Sequence, residues 1–338
     1  MSPQDNINIV TDSIDKSIDK LLNGVSRAEQ TVFNKAITVV KNLDLDAQGN
    51  IKQTVKNLRL LARMRLELKN AVLTPSFQKQ VEAYLNTFPV VAQQNNTYFK
   101  AIDAAFDPNR QLYREVLKNS LTTTQESLLG AGVDENIIKP VTEILNNAVT
   151  GNSRFADLTK ELELAILGDS ETLGRLMRYS KQIATDAMNQ FNGNYNQTIG
   201  NDLDLEWYYY SGMNRKTSRP FCKKYSGKYF HKKEVEDFGR GKDLDGSKLC
   251  TGNFCNGRVK GTNQSNIFRY RGGYNCRHGY KPTLIDQVSN NVIKRNIDKG
   301  YYDNKDNIDV AGIKPKEVTP IYSPSMSRKD AEIFIKNS

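Results

Sequence analysis

The side chains with the most reactive chemistry are confined to one short part of this sequence. The four cysteines follow the spacing C-x27-C-x4-C-x20-C, and both histidines, His231 and His278, fall in the same stretch. Zinc prefers four nitrogen or sulfur ligands in a tetrahedron, and a small module with little apolar core gains folding free energy from such a site. The candidate zinc ligands are Cys222, Cys276 and one or both of Cys250 and Cys255, with His278 in reserve.

The cysteine spacing leaves a second interpretation open. It contains no C-x2-C pair, the form typical of structural zinc sites. In this interpretation the cysteines are reduced and partly buried, because disulfides are disfavoured in the cytosol. A cytosolic origin is expected, since the first residues lack the basic and apolar segments of a secretory signal. Zinc is therefore a candidate cofactor, and no other is indicated.

The positive charge of the chain is concentrated around these residues. Residues 1–200 contain 22 basic and 22 acidic side chains, whereas residues 215–281 contain 17 basic and 5 acidic ones. A local field of this kind favours a polyanion or an acidic protein surface as partner. Arg269, Arg271 and Lys281 stand among aromatic residues, a pattern that suits phosphate contact and base stacking, and we expect them to contact a polyanion or an acidic protein surface.

The sequence carries no motif of a common enzyme class. A glycine-rich phosphate loop, a Ser/His/Asp arrangement and a dinucleotide fingerprint are all missing. A metal-dependent nuclease is the nearest enzymatic alternative, supported by the basic field and by Asn275-Cys-Arg-His278. Metal-assisted hydrolysis needs a base and open-site ligands together. Only two histidines are present, so no catalytic residue is assigned.

Residues 1–199 are predicted to form a helical bundle or an array of helical hairpins. Apolar residues at spacings of three and four, such as Ile7, Val10 and Ile14, mark an amphipathic helix. Asn23-Gly24 is expected to end it, with Ser26 and Glu29 forming the capping box of the next helix. Further helices are predicted to begin near Asn50 and to cover the ranges of about 77–104, 109–129, 134–149, 153–167 and 170–198.

Composition changes near Gly200. Leu205–Tyr210 is aromatic and predicts a strand, and Phe230–Phe238 predicts a short helix within a loop-rich region. We therefore predict a small, basic α+β domain over 200–290. A polar tail over 291–338 follows, broken by prolines and extended, with a last short helix over 327–335.

Four segments of this domain resemble the conserved domain of the Mu F-like phage head morphogenesis family. The segments are Trp207-Tyr-Tyr-Tyr-Ser-Gly, Thr217-Ser-Arg-Pro-Phe-Cys222, Ser226-Gly-Lys-Tyr-Phe230 and Gly273-Tyr-Asn-Cys-Arg-His278. They cover about 80 residues in the family's order. Ser226 replaces the Asp or Asn common in the family, and an insert over 240–268 has no counterpart there. The matching residues are Trp207, Arg219, Cys222, Gly227, Phe230, Asn275, Cys276, Arg277 and His278.

The resemblance implies a structural protein of a virion. A family member would be a minor capsid protein of a tailed bacteriophage, located at the portal vertex or inner capsid and present in the host cytoplasm during assembly. Its partners would be the portal or major capsid protein, with contact to packaged double-stranded DNA left open. The alternatives are a sequence-independent DNA-binding protein or a nuclease of a mobile element. No membrane and no small-molecule substrate is expected.

In this domain several residues have an expected architectural role. Gly227 permits a tight turn and Pro220 fixes the backbone ahead of Cys222. Arg219 and Arg277 carry planar guanidinium groups that can link backbone carbonyls or carboxylates of different loops. Such structural linking is favoured over catalysis, with phosphate contact as the second interpretation.

Overall fold

The chain is mainly helical, with one small sheet. The computed structural model describes residues 1–212, 214–249, 256–304 and Ile308. The helices are α1 (Pro3–Val40), α2 (Val55–Val72), α3 (Pro75–Leu85), α4 (Thr87–Ile102), α5 (Gln111–Leu129), α6 (Ala131–Val133), α7 (Lys139–Thr150), α8 (Phe155–Ile166), α9 (Arg175–Asp202), α10 (Pro220–Tyr225), α11 (Lys232–Arg240), α12 (Ile267–Tyr270) and α13 (Asn290–Asp298). A π-helical segment, Asp134–Ile138, joins α6 to α7, and Ile285–Gln287 is a 3-10 turn. The predicted class, helices followed by a small α+β region, is confirmed.

The first helix is longer than the sequence indicated. Ser2 caps α1, because its hydroxyl accepts from the backbone N–H of Asp5 while the Asp5 carboxylate accepts from Ser2. The predicted break at Asn23-Gly24 and the capping box at Ser26 are wrong. Gly24 instead lies where α1 meets α3, since a Cβ at this position would stand 2.5 Å from Cγ of Gln80. The glycine allows close packing of two helices and does not end one.

The other predicted helices are present with shifted ends. The second helix begins at Val55 with Thr54 as its cap, not near Asn50, and the range predicted as 77–104 is divided at Asn86 into α3 and α4. Their apolar faces form one core that includes Phe88, Tyr98 and Phe191. No helix in the described part of the chain has the length and apolarity needed to cross a membrane.

Three antiparallel strands form the sheet, in the order β2-β1-β3. They are β1 (Trp207–Ser211), β2 (Lys228–His231) and β3 (Gly279–Thr283). Tyr210 of β1 pairs with Lys228 on one side and with Tyr280 on the other. A second core covers this sheet and consists mostly of aromatic residues, among them Tyr208, Tyr210, Phe221, Tyr225, Phe230, Phe238, Phe268 and Tyr280. The predicted strand and short helix are therefore β1 and α11.

Residues Met1–Ile285 form one compact unit, and a second unit begins at Asp286. Within the first, α9 packs against α1, α5, α12 and β3. The division into 1–199, 200–290 and 291–338 stays a prediction about independent folding. In the second unit the predicted extended tail begins inside a helix, α13, and Lys294 pairs with Asp298 on it. The predicted helix over 327–335 lies outside the described residues.

A buried carboxylate attaches α1 to the start of α9. Oε1 of Glu29 accepts a hydrogen bond of 2.8 Å from the backbone N–H of Met177, in the first turn of α9. Gly174 precedes this helix, and a Cβ there would stand 2.4 Å from the same oxygen. The side chain is 5% exposed, and burial raises the pKa of Glu29 from 4.5 to about 7. Glu29 thereby helps to place α9, the helix to which the loop of the site described below is attached.

We predict that Glu29→Gln removes part of the pH dependence of stability. A carboxyl group whose pKa is raised by folding destabilises the folded state as the pH rises. The loss of stability extends from pH 4.5, the pKa of the group in the unfolded chain, to about 7, its pKa in the folded protein. The difference in free energy of unfolding, variant minus wild type, should therefore increase by roughly 3 kcal/mol between pH 4 and pH 8. Chemical denaturation at both pH values measures this change. Glu161→Gln, at an exposed position of α8, is the control, and parallel pH profiles for Glu29→Gln and wild type would contradict the prediction.

Candidate functional site

Two cysteines that are 54 residues apart in the sequence have their sulfur atoms close together. Cys222 lies on α10, Cys276 lies in the loop that leads into β3, and their Sγ atoms are 3.8 Å apart. One ring nitrogen of His278 completes a group of three potential metal ligands that all lie within 4.8 Å of one another. All three side chains are buried. We call Cys222, Cys276 and His278 the sulfur–histidine cluster.

Two further side chains hold this cluster in place. The hydroxyl of Tyr210, on β1, is 3.4 Å from Sγ of Cys222 and 3.9 Å from Sγ of Cys276. The ring of Tyr210 also stacks on that of His278, with centroids 5.5 Å apart and planes 22° from parallel. On the other side Nε2 of His278 is 3.1 Å from Oδ1 of Asn214. The histidine ring is thus oriented by a stacking partner and a hydrogen bond.

The loop that carries Cys276 is attached to α9. Arg271 is 3% exposed, and its guanidinium donates to the backbone carbonyls of Asn189 on α9, at 2.6 Å, and of Cys276, at 3.3 Å. The buried carboxylate of Asp186 accepts from the backbone N–H of Asn275 at 2.6 Å. Burial raises the pKa of Asp186. Both Arg271 and Asn275 have positive φ, 51° and 55°, so these contacts hold the loop in an unusual conformation.

The hydrogen bond between Cys222 and Cys276 shifts the pKa values of the two thiols in opposite directions. Donation from Cys222 lowers the pKa of Cys276 well below its ordinary value, assisted by His278. The same hydrogen bond, with burial, raises the pKa of the Cys222 thiol. Burial also raises the pKa of Tyr210, so its hydroxyl remains a hydrogen-bond donor. The cluster can therefore hold negative charge on Cys276.

Arg219 and Arg277 link loops, as their predicted architectural role requires. Nε of Arg219 donates to the carbonyl of Asn256 at 2.7 Å and its Nη2 to that of Tyr274. Arg277 forms an ion pair with Asp15 of α1, which Arg215 also approaches at 3.6 Å. The guanidinium groups connect chain segments far apart in sequence.

The remaining residues of the four segments named in the sequence analysis lie in the same module. Gly227 has a φ of +80° in the turn before β2, and Pro220 is the first residue of α10. Phe230 is fully buried, and Trp207 packs edge-on against His231, 5.0 Å away. His231 caps α11 and does not join the sulfur–histidine cluster. The candidate ligands Cys250 and Cys255 lie outside the described residues.

A cavity of about 360 Å³ adjoins the cluster and is lined by cations. Its wall includes all three cluster residues. The cationic side chains in the wall are Arg178, Lys181, Arg215, Arg219 and Arg277. Those of Arg178, Lys181 and Arg215 are exposed to solvent. No carboxylate in the described part of the chain lines this cavity, which therefore suits an anionic group.

The structure corrects the expected polyanion contact at two of three positions. Lys281 is 2% exposed, and its ammonium donates to the amide oxygens of Asn95 and Asn196 at 2.7 and 2.8 Å. Its pKa is well below the ordinary value because it is buried. Arg271 is buried as described above, so neither cation is available at the surface. Only Arg269 is exposed, and its contact with a polyanion stays a prediction.

Several residues of the site carried no signal in the sequence. Arg178 and Lys181 belong to the electrically neutral half of the chain, and only the fold brings them to the cavity. Asn214 and Asp186 are ordinary polar residues whose partners lie 64 and 89 positions away. The spacing of Arg178 and Lys181, which places both on one face of a helix, was the one available hint.

Comparison of this chain with models of known protein families, with curated proteins and with solved structures finds no match.

We predict that Gly272→Ala destabilises the module by disturbing the cysteine pair. A Cβ at Gly272 would stand 2.5 Å from Sγ of Cys222 and 3.0 Å from Sγ of Cys276. Overpacking of this kind costs about 1–3 kcal/mol in the free energy of unfolding. Gly279→Ala is the matched control, since its Cβ meets no atom within 4 Å. Equal stability of the two variants in chemical denaturation would show that the sulfur atoms are not packed as described.

Proposed function

We propose that the protein is a minor head protein of a tailed bacteriophage, of the Mu F-like head morphogenesis type. In this proposal it is a structural component of the virion, attached to the portal or to the inner face of the capsid. It passes through the host cytoplasm during assembly. It has no enzymatic activity of its own.

The observation that carries the proposal is the convergence of the four resembling segments. Trp207-Tyr-Tyr-Tyr-Ser-Gly forms the central strand, and the segment ending at Phe230 forms the adjacent strand. The segments ending at Cys222 and His278 bring the sulfur atoms together beside Tyr210. Residues scattered over more than 70 positions thus build one architectural unit. This is expected if the segments are the conserved framework of a domain.

The roles of the matching residues favour a structural part over an enzyme. Arg219 is engaged by backbone carbonyls and Arg277 by a carboxylate. Gly227 and Phe230 serve the turn and the core. Each of these contacts serves the architecture of the module and needs no catalytic chemistry.

The cation-lined cavity gives the protein an attachment point for an anionic surface. Arg178, Lys181 and Arg215 are its exposed cations, and they come from both halves of the chain. We favour an acidic surface of the portal or capsid protein as partner, because a virion component must be held before the genome arrives. The alternative function, sequence-independent DNA binding by a protein of a mobile element, draws on the same cations.

We predict that the protein co-purifies with assembled phage heads at a lower copy number than the major capsid protein. Mass spectrometry of particles purified by density gradient measures both quantities. The control is the same purification from cells that make the protein without capsid proteins, where it should not sediment with particles. Normal heads that lack the protein would contradict the proposal.

We predict that the protein stays attached to emptied heads after nuclease treatment and is released by high salt. Replacing Arg178, Lys181 and Arg215 together by Gln should lower the salt concentration of release, because charge contacts are screened by salt. A control of equal charge replaces the exposed Arg59, Arg63 and Lys79 of α2 and α3.

Release by nuclease alone would instead identify DNA as the partner. In that case gel shifts with unrelated duplexes should weaken steeply with salt. The cavity variant should then lower the slope of log affinity against log salt by about 2–3, since each lost phosphate contact contributes roughly 0.9.

A further inference from the structure

We propose that the sulfur–histidine cluster binds one zinc ion through Cys222, Cys276 and His278, with the fourth coordination position open to the cation-lined cavity. The proposal concerns the chemistry of this chain and holds whether or not the protein is part of a virion.

The distance between the sulfur atoms is the first support. Two thiolates bound to a tetrahedral zinc ion at about 2.3 Å are about 3.8 Å apart. The Sγ atoms of Cys222 and Cys276 are separated by 3.8 Å. A disulfide would place them at about 2.05 Å. The pair therefore has the spacing of two ligands around a shared ion.

The histidine is oriented as a zinc ligand. In zinc sites the ring N–H that does not bind the metal usually donates to a carbonyl, a carboxylate or water, which orients the ring. Nε2 of His278 is 3.1 Å from Oδ1 of Asn214, so Nδ1 is left for the metal. A ring nitrogen of His278 already lies within 4.8 Å of both sulfur atoms.

The surroundings of the sulfur atoms also fit bound thiolates. The Tyr210 hydroxyl is close enough to Cys222 to donate a hydrogen bond to its sulfur, at 3.4 Å. Gly272 leaves room for both sulfur atoms, where a side chain would collide with them. The ligands come from α10 and from the segment before β3, so an ion would connect two elements of a small domain. Binding free energy of this kind adds to folding free energy.

The cavity determines what the fourth ligand is. All three cluster residues line it, together with the exposed cations Arg178, Lys181 and Arg215. A zinc ion with three protein ligands keeps a position for water or for another small ligand. The adjacent cations favour an anionic ligand, such as a carboxylate of a partner protein. Among the described residues the structure thus assigns three ligands, with the fourth position facing the cavity.

Metal content is the first measurement. We expect one zinc ion per chain in the full-length protein, by mass spectrometry of the metal after dialysis. Cys222→Ser, Cys276→Ser and His278→Gln should each lose most of it. His231→Gln, which changes the other buried histidine, should keep it and controls for general destabilisation. Equal zinc content in all variants would overturn the site.

The wild-type protein provides a test that does not depend on folded variants. A chelator should lower the midpoint of thermal unfolding, and added zinc should restore it. If the purified protein takes up no zinc from a zinc-saturated buffer, the proposal is wrong. It is also wrong if mass spectrometry of unreduced proteolytic fragments identifies a disulfide between Cys222 and Cys276.

Cobalt substitution tests the open position. Cobalt in the site should show a thiolate charge-transfer band, and Cys250→Ser and Cys255→Ser should leave that band unchanged. Added azide should shift the visible cobalt bands of the wild-type protein by entering the fourth position. Loss of the band in either cysteine variant, or no response to azide, would show a closed site and overturn this part of the proposal.

Discussion

The attachment of one loop to α9 is the constraint on which the rest of the site depends. Arg271 and Asp186 are both buried; Arg271 donates hydrogen bonds to backbone carbonyls, and Asp186 accepts one from a backbone N–H. Leaving such groups unpaired in the interior costs free energy, so the loop is strongly held. This contact places Cys276 and His278 opposite Cys222. Glu29, which joins α1 to the start of α9, extends the same constraint into the helical part.

Because some basic side chains are buried, the net charge of the sequence does not predict which Lys and Arg residues lie at the surface. Nζ of Lys281 lies 4.2 Å from the ring centroid of Tyr98 and 4.6 Å from that of Phe99, and two amide oxygens accept hydrogen bonds from it. Its interactions therefore stabilise the contact between the sheet and α4. The exposed cations that remain around the cavity come partly from α9. Fewer side chains therefore contribute positive charge at the surface than the number of Lys and Arg residues suggests, and tertiary structure brings these side chains together.

The sulfur–histidine cluster and the cavity form one site with two chemical characters. The cluster is buried and offers soft ligands on a rigid support, while the cavity wall offers positive charge to solvent. A structural protein that must be attached to a larger assembly can use both, the first to stabilise a small module and the second to hold an acidic partner.

The sequence by itself determined the properties that depend on neighbouring residues. Most of the helices before Gly200, a strand at Leu205–Tyr210 that overlaps β1, and the gathering of cysteine and histidine in one module were predicted from periodicity, aromatic content and spacing. Tertiary structure alone decided that Gly24 lies inside a helix and that Arg271 and Lys281 are buried. The reason is physical. Helical and strand patterns are local, whereas the environment of a glycine or a charged side chain depends on partners that approach from distant parts of the chain.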